Sequence, residues 1–302
     1  MKDYVIVTGG AGFIGSNLIE YFLKNTKKKI ISLDNYSSGF KSNHIKSRRV
    51  KYIKGNTKNI ENLLKKYKLR IHSLFHFGEF ARIFQSFKKF DLCFESNTIG
   101  SKAVFKYCLD NKIKLIYSAT SASLGNKGQD KNLSPYAFTK AKNLELLENL
   151  KKWNNMKYEV IYFYNVYGPK QIFKGDMATV IGIFEYQFKQ KKPLTVVKPG
   201  NQTRRFTHVH DTVRACFLAW KKNKCKHYSI TNKKSYSILN VARLFGSTVR
   251  YLPKRKGERF ASKLTRMNLD NKVIKIYGKI NLKDYILKIV NWFIYKYIKF
   301  LY

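Results

Sequence analysis

Acid is what this chain has least of. Its 302 residues include 18 aspartates and glutamates against 60 lysines and arginines, a formal net charge of +42. An excess of that size suits a polyanion partner, either nucleic acid or an anionic membrane. The lysines, however, are spread along the whole chain, and Lys, Asn, Ile, Phe and Tyr, the residues of AT-rich codons, are all abundant. The charge is therefore read as compositional drift, and neither polyanion is the favoured partner. Whatever its origin, such a field draws in nucleotide-like anions. Cysteine is also scarce. Cys93, Cys108, Cys216 and Cys225 show no CxxC spacing, which argues against a zinc or disulfide framework and suits buried thiols in a reducing compartment. No apolar stretch is long enough to span a bilayer, and only Met1 to Asp3 precede the first apolar run, so no signal peptide is expected. A soluble, cytoplasmic protein is the expectation. With 44% hydrophobic residues, the chain can bury the core of one large domain or two coupled ones.

Short β-type runs alternate with helical patterns. Strands are expected at 4–8, 30–34, 50–54, 73–77, 115–119 and 158–163. Helices are expected near 13–25, 57–68, 91–111 and 134–153. This alternation predicts an α/β fold: a doubly wound parallel sheet of the Rossmann type. Four of the five prolines, Pro169, Pro193, Pro199 and Pro253, fall in the second half, where the order thins. Helices are expected there near 176–191, 211–221 and 237–245. The division that follows is a dinucleotide-binding domain over 1–164, rejoined by a return segment near 206–232, and a smaller substrate lobe over 165–302.

The opening stretch YVIVTGGAGFIGSNL sets Gly9, Gly12 and Gly15 between a strand and a helix. Gly9 permits the tight turn, Gly12 lets a pyrophosphate reach the backbone, and Gly15 allows close helix–strand packing. The helix N-terminus beyond, at Phe13 and Ile14, adds free N–H groups and a partial positive charge. Asp34 closes the next strand, about twenty residues on, as this fingerprint requires. Its carboxylate accepts from both adenosine ribose hydroxyls and repels a 2′-phosphate, so NAD is expected over NADP. The basic cluster KSNHIKSRR behind it keeps NADP open.

SPYAFTKAKNLELLENL carries Tyr136 and Lys140 one helical turn apart, on one face, with Ser134 as cap and Pro135 in the first turn. A tyrosine beside an ammonium is a candidate proton carrier. Lowering a phenol from about 10 to about 7 requires roughly 4 kcal/mol, within reach of nearby positive charge in a low-dielectric cleft. The preceding strand ends in hydroxyls, and Thr120 or Ser121 could bond the same substrate oxygen.

Together these motifs resemble the extended short-chain dehydrogenase/reductase family, the nucleotide-sugar epimerases and dehydratases, over nearly the whole chain. TGGAGFIGSNL resembles its dinucleotide turn, LFHFGEFARIFQSF the stretch after its fourth strand, and SNTIGSKAVFKYC its next helix. SPYAFTK resembles the catalytic helix, YFYNVYGPKQ the entry to the substrate lobe, QTRRFTHVHDTVRA the return segment, and RKGER a late diphosphate-binding motif. The resemblance implies that Tyr136 is the acid/base, that Lys140 lowers its pKa and holds the nicotinamide ribose, and that Thr120, with Ser121, completes the catalytic set. It further implies NAD contacts from Asn35, Asn56, Phe77, Gly78 and Asn97. Asn165, Arg204 and Arg255 would hold the sugar nucleotide, the arginines on its diphosphate. A homodimer built on the helices containing 102–109 and 136–150 is also implied.

The departures from the family pattern narrow the reaction. Thr120 is followed by Ser121 and Ala122, where 4,6-dehydratases carry the Asp-Glu that eliminates water. The loop 125–136 is short, Asn56 stands where an aspartate is usual, and Arg205 and His210 replace acids. Glu79 and Arg82 lie beside the expected sugar site and suggest a distinctive substrate. Epimerisation of a UDP-sugar at its 4-position is the reading. Reductase, dehydratase and decarboxylase activity are the alternatives within the family, and a non-catalytic NAD-binding scaffold lies outside it. His208 and His210 offer an HxH without a fourth ligand, so no metal is expected. His76 is read as a packed histidine, and the amphipathic C-terminal stretch as a helix docked on the substrate lobe rather than on a membrane.

Overall fold

The apolar runs become strands buried on both faces. In the computed structural model, which describes residues 2–123, 130–222, 224–257 and 273–301, β1 (Tyr4–Thr8), β2 (Lys29–Asp34), β3 (Val50–Lys54), β4 (Ile71–His76), β5 (Lys114–Thr120) and β6 (Tyr158–Phe163) all join one sheet. Two later strands, His227–Thr231 and Val273–Tyr277, extend it beyond β6, giving eight strands, all parallel. All seven residues of β5 are buried, as a central strand of a covered parallel sheet demands, whereas edge strand β3 carries exposed Lys51 and Lys54. From β1 the chain runs outward through β2 and β3, then returns to β4 on the other side of β1. That reversal opens a crevice at the carboxyl ends of β1 and β4, where open α/β sheets bind ligands.

One apolar cluster covers each face of the sheet. On one face α1 (Phe13–Asn25) packs against the helix Val209–Lys222 through edge-on contacts of Phe22 with Phe217 and Trp220, and against β4 through Phe75. The segment 206–232 thus supplies both a covering helix and a strand of the sheet. A third cluster, including Tyr167, Phe184, Phe206 and Phe245, forms the core of a smaller lobe over the crevice. The C-terminal helix Leu282–Leu301 buries Leu282 and Ile286 in that core and leaves Trp292 and Tyr295 exposed. Among the described residues, no helix is long and apolar enough to cross a membrane.

Two expected helices differ in detail. The stretch 57–68 resolves into a five-residue α-helix, Ile60–Leu64, between two 3-10 turns. The stretch 91–111 passes through a π-helical segment, Glu95–Gly100. Strand Val273–Tyr277 was not expected, because its lysine-interrupted edge pattern (VIKIY) carries little signal.

A buried acid ties the late strand to the early sheet. Glu159 on β6 is fully buried, and its carboxylate accepts from the amides of Lys224 (2.7 Å), Cys225 (3.1 Å) and Lys226 (2.9 Å). Lys114 on β5 lies 3.2 Å away and also donates to the Trp220 carbonyl. Removing one partner of such a pair leaves a buried charge and three amides unsatisfied. Glu159→Leu should therefore lower stability by about 3–5 kcal/mol in urea unfolding. A loss below about 1 kcal/mol would contradict this role for the residue.

Candidate functional site

The crevice is a cavity of about 520 Å³ running from the glycine turn to the smaller lobe. At one end, Gly9 has φ +69° and Gly15 lies under it. A Cβ on Gly15 would come within 2.2 Å of the Gly9 carbonyl oxygen, so only glycine lets α1 start this close to β1. The free amides at the start of α1 face the cavity, with Gly12, Phe13 and Ile14 in its wall. Asp34, at the end of β2, accepts from the amides of Ala11 (2.9 Å) and Tyr36 (2.8 Å), which fixes its carboxylate in the cavity wall. Burial pushes its pKa up, opposed by those backbone N–H bonds. Asn35, Asn56, Phe77 and Gly78 line the same end. Of the basic cluster behind Asp34, Arg49 is turned away, donating to the Thr26 and Leu23 carbonyls at the end of α1. A glycine cradle that any Cβ would fill, a helix N-terminus and an acid at the second strand fit an adenine dinucleotide without a 2′-phosphate.

Asn97 is the exception among the expected cofactor residues. It is fully buried and absent from the cavity wall. Its amide brackets Phe80, accepting from the Phe80 amide (2.7 Å) and donating to the Phe80 carbonyl (3.1 Å). The π-helical turn directs it there, and its role is to fix the backbone that carries Glu79.

Midway along the cavity, the helix Pro135–Asn154 presents Tyr136 and Lys140. Its start is set by Ser134, whose hydroxyl accepts from the Ala137 amide (3.1 Å), and by Pro135. The Tyr136 phenol hydrogen-bonds Thr120 at the end of β5. Ser121 also lines the cavity and begins a short 3-10 turn. Much of the loop that follows lies outside the described residues.

Lys140 is not a free ammonium. It pairs with Glu79 and donates to the Ser118 carbonyl (2.6 Å), with both side chains of the pair almost completely buried. Glu79 was expected beside the sugar. Although it borders the cavity, its carboxylate also accepts from Ser101 (2.9 Å), Tyr117 (3.0 Å) and Asn143 (3.1 Å), so it belongs to the lysine rather than to an open sugar pocket. The network continues beneath the dinucleotide turn. Thr8 accepts from the amides of Phe77 and Gly78, so its own hydrogen points to His76 Nδ1 (2.7 Å), and His76 Nε2–H then donates to Ser101 (3.0 Å). Burial holds the His76 pKa down, to about 4, in keeping with this neutral tautomer. Ser101, Tyr117 and Asn143 carried no sequence signal of their own; the one available hint was Glu79 itself, an acid amid the aromatic stretch HFGEF.

This network changes the electrostatics expected for Tyr136. Its pKa is pushed up to about 12, chiefly by burial, with the Thr120 hydrogen bond lowering it, Glu79 raising it and Arg82 lowering it. The expected depression is reversed because burial outweighs the lowering by Thr120 and Arg82, and Glu79 adds to the rise. Two of the three ammonium hydrogens are engaged, by Glu79 and the Ser118 carbonyl.

The far end is arginine-rich. Arg82 lines the cavity, as do Arg204, which donates to the Thr203 carbonyl, and Arg255, which lies over the Phe84 ring. Asn165 stands at the entry to the smaller lobe with its amide on the Arg205 carbonyl (3.0 Å). The last two residues of RKGER, Glu258 and Arg259, lie outside the described residues. His208 packs in the lobe beside Tyr167, and burial lowers its pKa to about 4.

Residues 5–232 match the model of the NAD dependent epimerase/dehydratase family. The chain is 29% identical over 255 residues to an ADP-L-glycero-D-manno-heptose-6-epimerase of Brachyspira hyodysenteriae, covering 79% of each protein. It is 27% identical over 268 residues to a dTDP-D-glucose 4,6-dehydratase of Dictyostelium discoideum, covering 79% of this chain and 60% of that one. Its fold superposes on a UDP-N-acetylglucosamine 4-epimerase of Methanobrevibacter ruminantium, solved with UDP-N-acetylmuramic acid, with a TM-score of 0.84 and 26% identity over 98% of this chain and all of the other. A glycine cradle for a dinucleotide, a Tyr–Lys helix at its mouth and a match over most of the length agree: the chain belongs to the NAD-dependent epimerase/dehydratase family.

Proposed function

We propose that the protein is an NAD-dependent nucleotide-sugar epimerase acting at the 4-position of a UDP-sugar. The observation that carries this reading is the hydrogen-bonded Tyr136–Thr120 pair in the wall of the dinucleotide cavity, with no carboxylate following Thr120. Removing water from the sugar, as a 4,6-dehydratase does, needs an acid and a base beside the tyrosine, and Ser121 and Ala122 provide neither. The Methanobrevibacter structure supports a UDP-sugar, since that relative is named for 4-epimerisation and holds a UDP-sugar.

NAD, when bound, would supply the acceptor for a hydride from the sugar C4. Tyr136, in its phenolate form, would take the proton of the 4-hydroxyl as that hydride leaves, and give it back as the hydride returns to the opposite face of the keto-sugar. Thr120 orients the same oxygen. Lys140 holds the nicotinamide ribose, and Glu79 keeps that lysine in place. Asn165, Arg204 and Arg255 anchor the nucleotide, so the sugar alone can turn. Gly9, Gly12, Gly15 and Asp34 hold the cofactor's adenosine half. We also propose a homodimer across the helices 101–110 and 135–154, beside which Ile99 and Phe138 are exposed.

NAD-loaded protein should interconvert a pair of C4-epimeric UDP-sugars without net NADH. Tyr136→Phe should lower kcat by about 10³-fold or more, the scale of an essential general base, while leaving NAD bound. Net NADH formation would favour a reductase or decarboxylase, and a fully active Tyr136→Phe would favour a scaffold. Glu79 raises the Tyr136 pKa, so Glu79→Gln should lower it and move the acid limb of the pH–rate profile to lower pH, by about one unit for a single charge a few ångströms away. An unchanged limb, or one moved upward, would contradict the role given to that carboxylate.

A further inference from the structure

The arginines at the sugar end do not all have the same surroundings. Arg82 sits at the start of the short helix Ile83–Lys88, in the cavity wall, and its guanidinium interacts electrostatically with Tyr136, the residue at the reacting carbon. Its Nε and Nη2 both donate to the Met177 carbonyl, and Nη1 donates to the Ala81 carbonyl at 2.8 Å. These are neutral acceptors. They hold the group in place and do not balance its charge.

No carboxylate among the described residues lies within ion-pair distance of Arg82. The two acids near it in the chain or the fold are engaged elsewhere. Glu79, three residues earlier, is the partner of Lys140 and accepts from three further donors. Asp176, next to Met177, pairs with Lys89 at 3.0 Å and accepts from Gln85. Arg82 is half-buried, and that burial lowers its pKa. A partly desolvated, uncompensated charge is costly unless a ligand supplies the opposite one.

The donors that remain have a defined shape. A guanidinium has five N–H groups, one on Nε and two on each terminal nitrogen. The three bonds to carbonyls leave one N–H on each terminal nitrogen, the fork that pairs with two oxygens of a planar anion. Its location decides which anion. Under the function proposed above, on which this inference rests, the diphosphate lies toward Arg204 and Arg255, while Arg82 stands beside Tyr136 and therefore beside the sugar ring. The anion is thus carried by the sugar itself. A neutral hexose would place hydroxyls there and leave the charge unbalanced.

We infer that the sugar of the nucleotide-sugar substrate bears a carboxylate, as in a UDP-hexuronate, and that the Arg82 guanidinium is the subsite that binds it. Arg82 is then the residue that separates acidic from neutral sugars, while Tyr136 and Lys140 serve either kind.

The test compares binding of UDP, UDP-glucose and UDP-glucuronate to NAD-loaded protein by calorimetry. UDP-glucuronate should bind about 10- to 100-fold more tightly than UDP-glucose, the range of a charge-assisted hydrogen bond to a half-buried group. Arg82→Met should erase that ratio, and Arg82→Lys should restore part of it. Equal or weaker binding of UDP-glucuronate by the native protein, with UDP and UDP-glucose both bound, would overturn the carboxylate subsite and leave the proposed function standing. Failure of UDP itself to bind would overturn the nucleotide-sugar reading and this subsite with it. A preference that survives in Arg82→Met would overturn the assignment to Arg82. The comparison in native protein is decisive even if that variant does not fold.

Discussion

A buried ammonium–carboxylate pair, Lys140 with Glu79, is the constraint on which the centre of this molecule depends. Two charges removed from water are tolerable only when each is paired and its remaining bonds are met. Glu79 meets that condition by accepting from a serine, a tyrosine and an asparagine on three different elements, and Lys140 by reaching the Ser118 carbonyl. Satisfying the pair thus fixes the helix 135–154 against β5 and against the segment that follows β4. The same contacts set the height of Tyr136 over the cavity. The chain of bonds through Ser101, His76 and Thr8 continues this order to the dinucleotide turn, so the two halves of the site are held by one polar network.

That network alters the division of labour among the charges. In a simple Tyr–Lys arrangement the ammonium alone would favour the phenolate. Here its field is offset at close range by Glu79, and the cation acting on the phenol is Arg82. Lys140 is left held by Glu79 and the Ser118 carbonyl, and Arg82 as a charge in the cavity wall. Positioning and electrostatic roles are therefore carried by different residues. A carboxylated substrate would in turn engage Arg82, so the acid–base properties of Tyr136 would depend on what the cavity holds.

The sheet was legible because its strands are continuous apolar runs of standard length, separated by capped helices. β1, β3 and β6 fall on the expected residues, and the helix 135–154 follows from Ser134 and Pro135. The glycine turn and Asp34 were legible for a similar reason, since their chemistry depends on local spacing. What could not be read was non-local. Nothing near Glu79 in the chain reveals that Lys140, 61 residues on, is its partner. Asn97 has the residue type of a cofactor contact, yet it lies in a π-helical turn and bonds the Phe80 backbone, and a local pattern does not encode that turn. The strand 273–277 is an edge element whose one lysine, Lys275, and Tyr277 fall on its exposed positions, and such strands carry little hydrophobic signal.

The central claim is that a hydride leaves and re-enters the same carbon of a nucleotide sugar beside Tyr136. The direct measurement uses a UDP-sugar deuterated at C4, with the product analysed by mass spectrometry and NMR. The product should be an epimer that keeps its deuterium at C4, with none lost to water. Deuterium released to solvent, or left on the cofactor after turnover has stopped, would contradict the claim.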